Sequence, residues 1–521
     1  MKKYSFLWPV LACAMLLQFS GSAIAQSVGN EFIFPDPSRK ILVAEATQNR
    51  GRKLTGRVLN STDSLAIFTL ADLEMPFNMQ MIRMSQCARN LVGNSKGPNL
   101  LFLSKNEGGF PRKGIWLTEA DGSEVHYPDL QFVDLVLDKD RIERGDLSIY
   151  SHELGHIMMG LILDETLESL QMGRSQKQHV SMGVTDYITA FSEGWGVHFQ
   201  RLAYDQTEKY RNAFEEKFLP DRSMSLVWHS GMDEALRLQF VRDNGYIYEK
   251  FIQSGVDQDT LTQEQKILME HTSPAFDHTR IKNAQQMLSC EGVLATLFYQ
   301  VNSDKKLAEN YMPSAFYTPF LIRPLPSGIH PEQVFSPLEN MMLKNFRVWK
   351  NMTENGINNN PFTAWLDEWC RQFPNDREEI LKLFIQITKG VTIAPDLARL
   401  SEKINYFGQV GDYQTFKSLL PVYQELLKKL TQQVLTDPAK LTANIGPELW
   451  VTSRKEKIRR GLWMPEPKMP LSVNLNSAGL SEIEVFTGKD KAPEFIRKRQ
   501  EFGYFTSLDQ IRKLGYAVDG Y

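Results

Sequence analysis

The stretch Ile149-Tyr150-Ser151-His152-Glu153-Leu154-Gly155-His156-Ile157-Met158 holds the residues of this chain best suited by type and spacing to do chemistry. On a helix, residues four apart stack on one face, so the imidazoles of His152 and His156 converge on a single point. Zn2+ is the ion that such a pair suits, one per chain. Glu153 lies beside that face. Its carboxylate can reach a water on the ion without ligating the ion, which is the position a general base needs. The flanks are uncharged and free of proline, as a helix buried around an active site requires. An inert histidine pair on a helix face is the competing reading.

The apolar, strand-like run Phe132-Val133-Asp134-Leu135-Val136-Leu137 lies upstream. Together the two segments resemble the zincin superfamily of zinc metallopeptidases, in which a strand borders the substrate cleft and the HExxH helix lies beneath it. The metzincin branch, HExxHxxGxxH, is disfavoured. Met159 stands where its glycine should be, Gly160 is one residue late, and Ile162 holds the expected ligand position. Ala190-Phe191-Ser192-Glu193-Gly194-Trp195-Gly196-Val197-His198-Phe199 instead resembles the second zinc helix of the gluzincins, which implies Glu193 as third ligand. Gly194 and Gly196 remove side chains where helices must approach closely. Phe191, Trp195, Phe199 and Leu202 give that helix an apolar stripe.

Two features depart from the gluzincin pattern. Thirty-six residues separate His156 from Glu193, so the intervening loop carries extra structure. Val197 stands where some gluzincins place an aspartate that supports a zinc histidine, which leaves Asp186 as a candidate for that support if the helix begins so early. Glu193 and His198 are five residues apart, about 140° around a helix, so both cannot face the histidine pair. His179, Tyr187, His198 and Tyr204 are candidates to stabilise the oxyanion of a tetrahedral intermediate, each with a purely structural role as its alternative.

These elements sit in a chain of 521 residues, long enough for about three domains. Apolar residues at 42% and charged residues at 23% exclude disorder and a disulfide-dense scaffold. The net charge of -3 lacks the basic excess of a dedicated nucleic-acid binder. Lys2, Lys3, the apolar stretch Phe6 to Phe19 and Ala23-Ile24-Ala25 form an export signal over residues 1-25, with lipid anchoring at Cys13 as a minor alternative. No later run is long enough for a membrane span, so a periplasmic or secreted protein is expected. Cys87, Cys290 and Cys370 permit at most one disulfide and have no zinc-cluster spacing; burial is their expected role.

The expected fold is mainly α with an N-terminal α+β part. Residues 26-140 would contribute the zincin sheet, with strand-like runs Leu65 to Leu70, Leu100 to Leu103, Ile115 to Thr118 and Phe132 to Leu137. Residues 141-310 would form the helical zinc-binding region and 311-465 a further helical domain, including Phe362 to Phe373 and Tyr413 to Leu430. The proline-rich Tyr311 to Pro331 is expected to run over the surface. Met464 to Pro470 has the composition of a linker to a tail over 470-521.

That tail, from Val473-Asn474-Leu475-Asn476-Ser477-Ala478 through Gly488, Ala492, Arg499 and Gly503-Tyr504-Phe505-Thr506-Ser507-Leu508 to Leu514, resembles the competence-protein type of helix-hairpin-helix domain. DNA-binding members present backbone N–H groups to phosphate from a glycine-x-glycine hairpin. Phe486 replaces the first glycine here, and Leu471 to Tyr521 carry seven basic and seven acidic residues. Nucleic acid is therefore an unlikely partner and a docking module the expectation. The resemblance as a whole implies an exported zinc metallopeptidase acting on peptides or proteins. The absence of a GxMxN-type segment points toward an endopeptidase. A zincin-fold binding protein without turnover and an exported nucleic-acid binder are the alternatives.

Overall fold

The computed structural model describes residues 29-36, 41-47, 54-106, 108-119, 121-163, 166-167, 170, 173, 175, 184-218, 282-357, 360-458 and 469-517. The export signal, Cys13 and His179 lie outside these residues. The chain divides into two compact units, Met1–Asp164 with Asn302–Lys350, and Glu165–Val301 with Asn351–Tyr521. The first break follows the HExxH segment, whereas the composition shift lies near residue 140. Among the described residues, no helix is long and apolar enough to cross a membrane.

The first unit holds five strands: β1 (Ile41–Ala46), β2 (Thr55–Val58), β3 (Asn99–Leu103), β4 (Phe110–Thr118) and β5 (Glu124–Leu135). They close into a barrel in the order β1-β2-β4-β5-β3. The apolar run of β3 is buried throughout because parallel partners flank it on both sides, Leu101 facing Val43 and Val133. Asp121 makes the β4–β5 turn, its side chain accepting from the Ser123 N–H at 2.9 Å. A register shift between Lys113 and Ile115 bends β4 at Gly114. Gly114 has φ +80°, and a Cβ there would stand 2.9 Å from the Pro128 carbonyl oxygen, so only glycine fits. Inside, Phe102 meets Phe132 edge-on at 5.8 Å.

The zincin resemblance implies a strand that borders the substrate cleft, whereas the strand-like run upstream of the histidine helix belongs to a closed barrel. Residues 133-134 of β5 pair with β4 on one flank and β3 on the other, so closure removes the free edge there. The Leu65–Leu70 run is also not a strand; it lies in the helix Ser64–Leu73. Its apolar run is too short to distinguish the two states, and the register is helical, with Ala66, Thr69 and Leu73 buried and Ile67 half exposed.

The Tyr311 to Pro331 stretch runs over the surface as expected, most of its residues exposed, and is pinned by a few buried side chains. Tyr317 and Phe320 are fully buried, and the Tyr317 hydroxyl donates to the Asn340 amide oxygen at 2.7 Å. Prolines set its turns while aromatic anchors pull it inward. Beside it, the buried Arg83 donates to Glu339 at 2.7 Å, to Asn30 at 2.6 Å and to the Val334 carbonyl at 2.7 Å.

The second unit is helical, with Pro361–Gln372 and Tyr413–Thr436 covering the two predicted helical stretches. Its last part is a module of its own making. Strands β6 (Trp450–Ile458) and β7 (Met469–Asn474) pair antiparallel and share one core with the helices Leu480–Thr487, Ala492–Phe502 and Leu508–Lys513. The module therefore begins near Leu449, and Met469 and Pro470 are strand, not linker. Phe486 is in its core, 4% exposed. Cys87, Cys290 and Cys370 are all free thiols. Cys87 and Cys290 are buried, and burial raises the pKa of each, that of Cys370 to about 12.

Candidate metal centre

In the first unit, a 3-10 turn over Asp146–Ser148 leads into the helix Ile149–Leu163. Ser151 ties the two together by donating its hydroxyl to the Ser148 carbonyl at 3.0 Å. The helix is apolar nearly all round because it packs on the helix Pro76–Leu91 and on β4 and β5. His152, His156 and Gly160 form the stripe left more open: the histidines are half-buried and the glycine exposed. The two Nε2 atoms face each other at 3.0 Å, with ring planes 74° apart.

That pair fits a metal. Two neutral ring nitrogens so close need a proton or a cation to share. Zinc–nitrogen bonds of roughly 2.0–2.1 Å at a tetrahedral angle would set the nitrogens about 3.3 Å apart, a few tenths beyond the observed separation. Glu153, 5% exposed, lies about 100° around the helix from His152. Its carboxylate is thus sheltered from bulk water beside the histidine stripe.

In the second unit, Glu193 lies on the helix Tyr187–Gln206. Asp186 is the N-cap. Its carboxylate accepts from the N–H groups of Ile188 at 3.1 Å and Thr189 at 2.8 Å, from the Thr189 hydroxyl at 2.9 Å and from the Ser175 N–H at 2.9 Å. The helix starts one residue too late for Asp186 to share a helical face with Glu193, and the carboxylate is committed to the cap. Tyr187 is 3% exposed, its hydroxyl makes no hydrogen bond, and burial pushes its pKa well up, aided by the Glu448 charge. Tyr204 accepts from Gln200 at 2.8 Å and stands about 16 Å along the axis from Glu193. That spacing is too long for an oxyanion group acting at Glu193's end.

His198 is fully buried and faces the Trp195 carbonyl through Nδ1. Its ring lies 4.5 Å from Trp195 and 3.9 Å from Phe199, inside an aromatic cluster. Gly194 marks where the helix Glu291–Ser303 crosses: a Cβ would come within 2.8 Å of Leu294 Cβ and 2.9 Å of the Ala295 nitrogen. That partner helix was not identified by sequence reasoning. A local signal for its approach exists in Asn283 and Gln286, which form a capping box just before it.

Glu448, near the N-terminus of the Glu193 helix, has its pKa raised to about 7. Burial is the main cause; an indole hydrogen bond from Trp450 opposes it, and the Asp186 charge adds to it. Among the described residues, His152, His156 and Glu193 form a group that could hold a metal ion, their ligand atoms within 4.8 Å of one another. Compared with protein-family models, curated proteins and solved structures, the chain matches none.

Proposed function

We propose that this chain is an exported zinc-dependent hydrolase acting on peptide bonds, of the gluzincin kind, with His152, His156 and Glu193 holding the ion. The observation that carries the reading is the grouping of these three ligand atoms, with the sheltered carboxylate of Glu153 one residue after the first histidine. When bound, zinc supplies Lewis acidity that makes a water acidic near neutral pH and polarises a carbonyl. Glu153 takes the proton of the attacking water on its carboxylate and passes it to the leaving nitrogen. The two histidines lie one turn apart on the same stripe with their Nε2 atoms facing each other.

The closed barrel bears on substrate. A peptide aligned on residues 133-134 of β5 by backbone pairing would need an edge that β3 and β4 occupy. That favours recognition by side-chain contacts over strand addition, and it gives the alternative of a zinc-holding protein without peptide turnover its one support. The Glu153→Gln variant separates the two. It keeps all three ligands but lacks the proton acceptor, so zinc content stays near normal while hydrolysis falls by about 10²–10⁴. Metal analysis and a peptide-library assay on wild type and variant decide it, and equal activity of the two would sink the mechanism.

A further inference from the structure

We propose that the C-terminal module is a built-in brace for the helix carrying Glu193, acting through residues 283-294. Its consequence for metal binding rests on the zinc reading above; its geometry does not.

The brace begins at a turn that the module holds rigid. The Asn474 amide oxygen accepts from the N–H groups of Leu449 at 3.0 Å and Asn476 at 3.2 Å. Asn476 donates to the carbonyls of Pro447 and Phe505, both at 2.9 Å, and accepts the Phe505 N–H at 2.7 Å. From behind, the buried Arg499 donates to the carbonyls of Leu475 at 2.9 Å and Ala478 at 2.7 Å. The Asn-x-Asn-x-Ala opening and the arginine are thus one polar lock, with each partner's geometry fixed by the others.

Three amide side chains engage that turn. Gln285 accepts from the Asn474 Nδ2 at 2.7 Å and donates to the carbonyls of Ile445 at 2.9 Å and Pro447 at 2.8 Å. Asn283 donates to the Asn476 carbonyl at 2.9 Å, and Gln286 to the Ser477 carbonyl at 3.2 Å. Gln285 and Gln286 are buried. Apolar side chains would bury the same area without fixing an orientation; paired amides tolerate only one.

The far end of the same segment grips the Glu193 helix twice. The Thr185 N–H donates to the Ser289 carbonyl at 2.8 Å, and Val184 bridges to Cys290; the next residue, Asp186, is the N-cap of the helix. One residue past Cys290 the helix Glu291–Ser303 begins, and it fills the notch at Gly194. Cap and notch lie on either side of Glu193, the cap about two turns before it and the notch at the next residue. A ligand site tolerates about 0.5 Å of error, and this chain of contacts fixes both the start of the helix and its packing face.

The test uses the full chain. In metal-free protein, Gln285→Leu should speed amide hydrogen exchange over Tyr187–Gln206, most at its N-terminal end. Competition with a chromophoric chelator should show zinc affinity falling by about 10–100-fold, the cost of losing a group that orients a ligand. Asn283→Ser keeps the helix cap but deletes the bond to Asn476, so it should give a smaller effect of the same kind. It decides the matter if the Gln285 variant does not fold. Leu430→Ala, a core change in the Tyr413–Thr436 helix, should lower stability without altering either readout. Unchanged exchange over Tyr187–Gln206 in the folded variants overturns the brace. Faster exchange in a protein whose wild type takes up no zinc upholds the brace and defeats the metal reading.

Discussion

The helix that carries His152 and His156 and the helix that carries Glu193 are built in opposite ways. The first is wrapped in apolar contacts, has no charged residue in its first or last turn apart from the chemistry itself, and places its two histidines by periodicity alone. The second is placed by polar contacts at its start and by a missing side chain in its middle: four hydrogen bonds on Asp186 and the notch at Gly194. A pair of proposed ligands one turn apart needs only a straight helix. A single proposed ligand has no neighbour to define its position, so surrounding structure must supply it.

The sharpest way to break this contrast is to remove the proposed ligand itself. Glu193→Ala should weaken zinc retention under mild chelation at least tenfold, whereas His198→Ala, an aromatic-core change, should retain the metal. Loss of zinc in the His198 variant, read by metal analysis after dialysis, would move the third ligand off Glu193. Next in size is Gly194→Ala. Its new methyl would meet backbone and Cβ atoms that cannot swing away, so a loss of about 1–3 kcal/mol in chemical denaturation is expected.

Asp186→Ala should cost about 1–2 kcal/mol, the upper range for an N-cap, because the carboxylate is buried and satisfies several donors at once. The remaining effect concerns pH. The folded-state pKa of Glu448, about 7, lies above its ordinary 4.5, so the folded chain holds the extra proton between these values. Wild-type stability should therefore fall as pH rises from about 4.5 to 7 and then level off. Glu448→Gln keeps an acceptor for Trp450 without that loss. Urea midpoints of the two proteins should agree near pH 4 and separate in favour of the variant by pH 8.

The same contrast explains what the sequence disclosed. His152, Glu153 and His156 were legible because a helix face is a local property. The Glu193 helix was legible from its glycines and aromatic stripe, but its first residue, and with it the capping role of Asp186, was not. Leu65–Leu70 has an apolar content that suits strand and helix equally, and only packing chose the helix. Barrel closure is invisible in any one strand, since it depends on β1 pairing with β3 across more than fifty residues. Phe486 was recognised as a departure from the glycine hairpin; that it fills the module's core required the other core members to be in place.

The ion pair of Arg83 with Glu339 spans 256 residues of chain, and it sets a timetable. At roughly 5–20 residues per second of synthesis, Arg83 is made about 13–51 s before the carboxylate that neutralises it. During that interval the N-terminal segment cannot bury the guanidinium without a large desolvation cost, and the stretch anchored by Tyr317 and Phe320 does not yet exist. The polar cluster around Arg83 is thus incomplete until the chain has grown past Glu339.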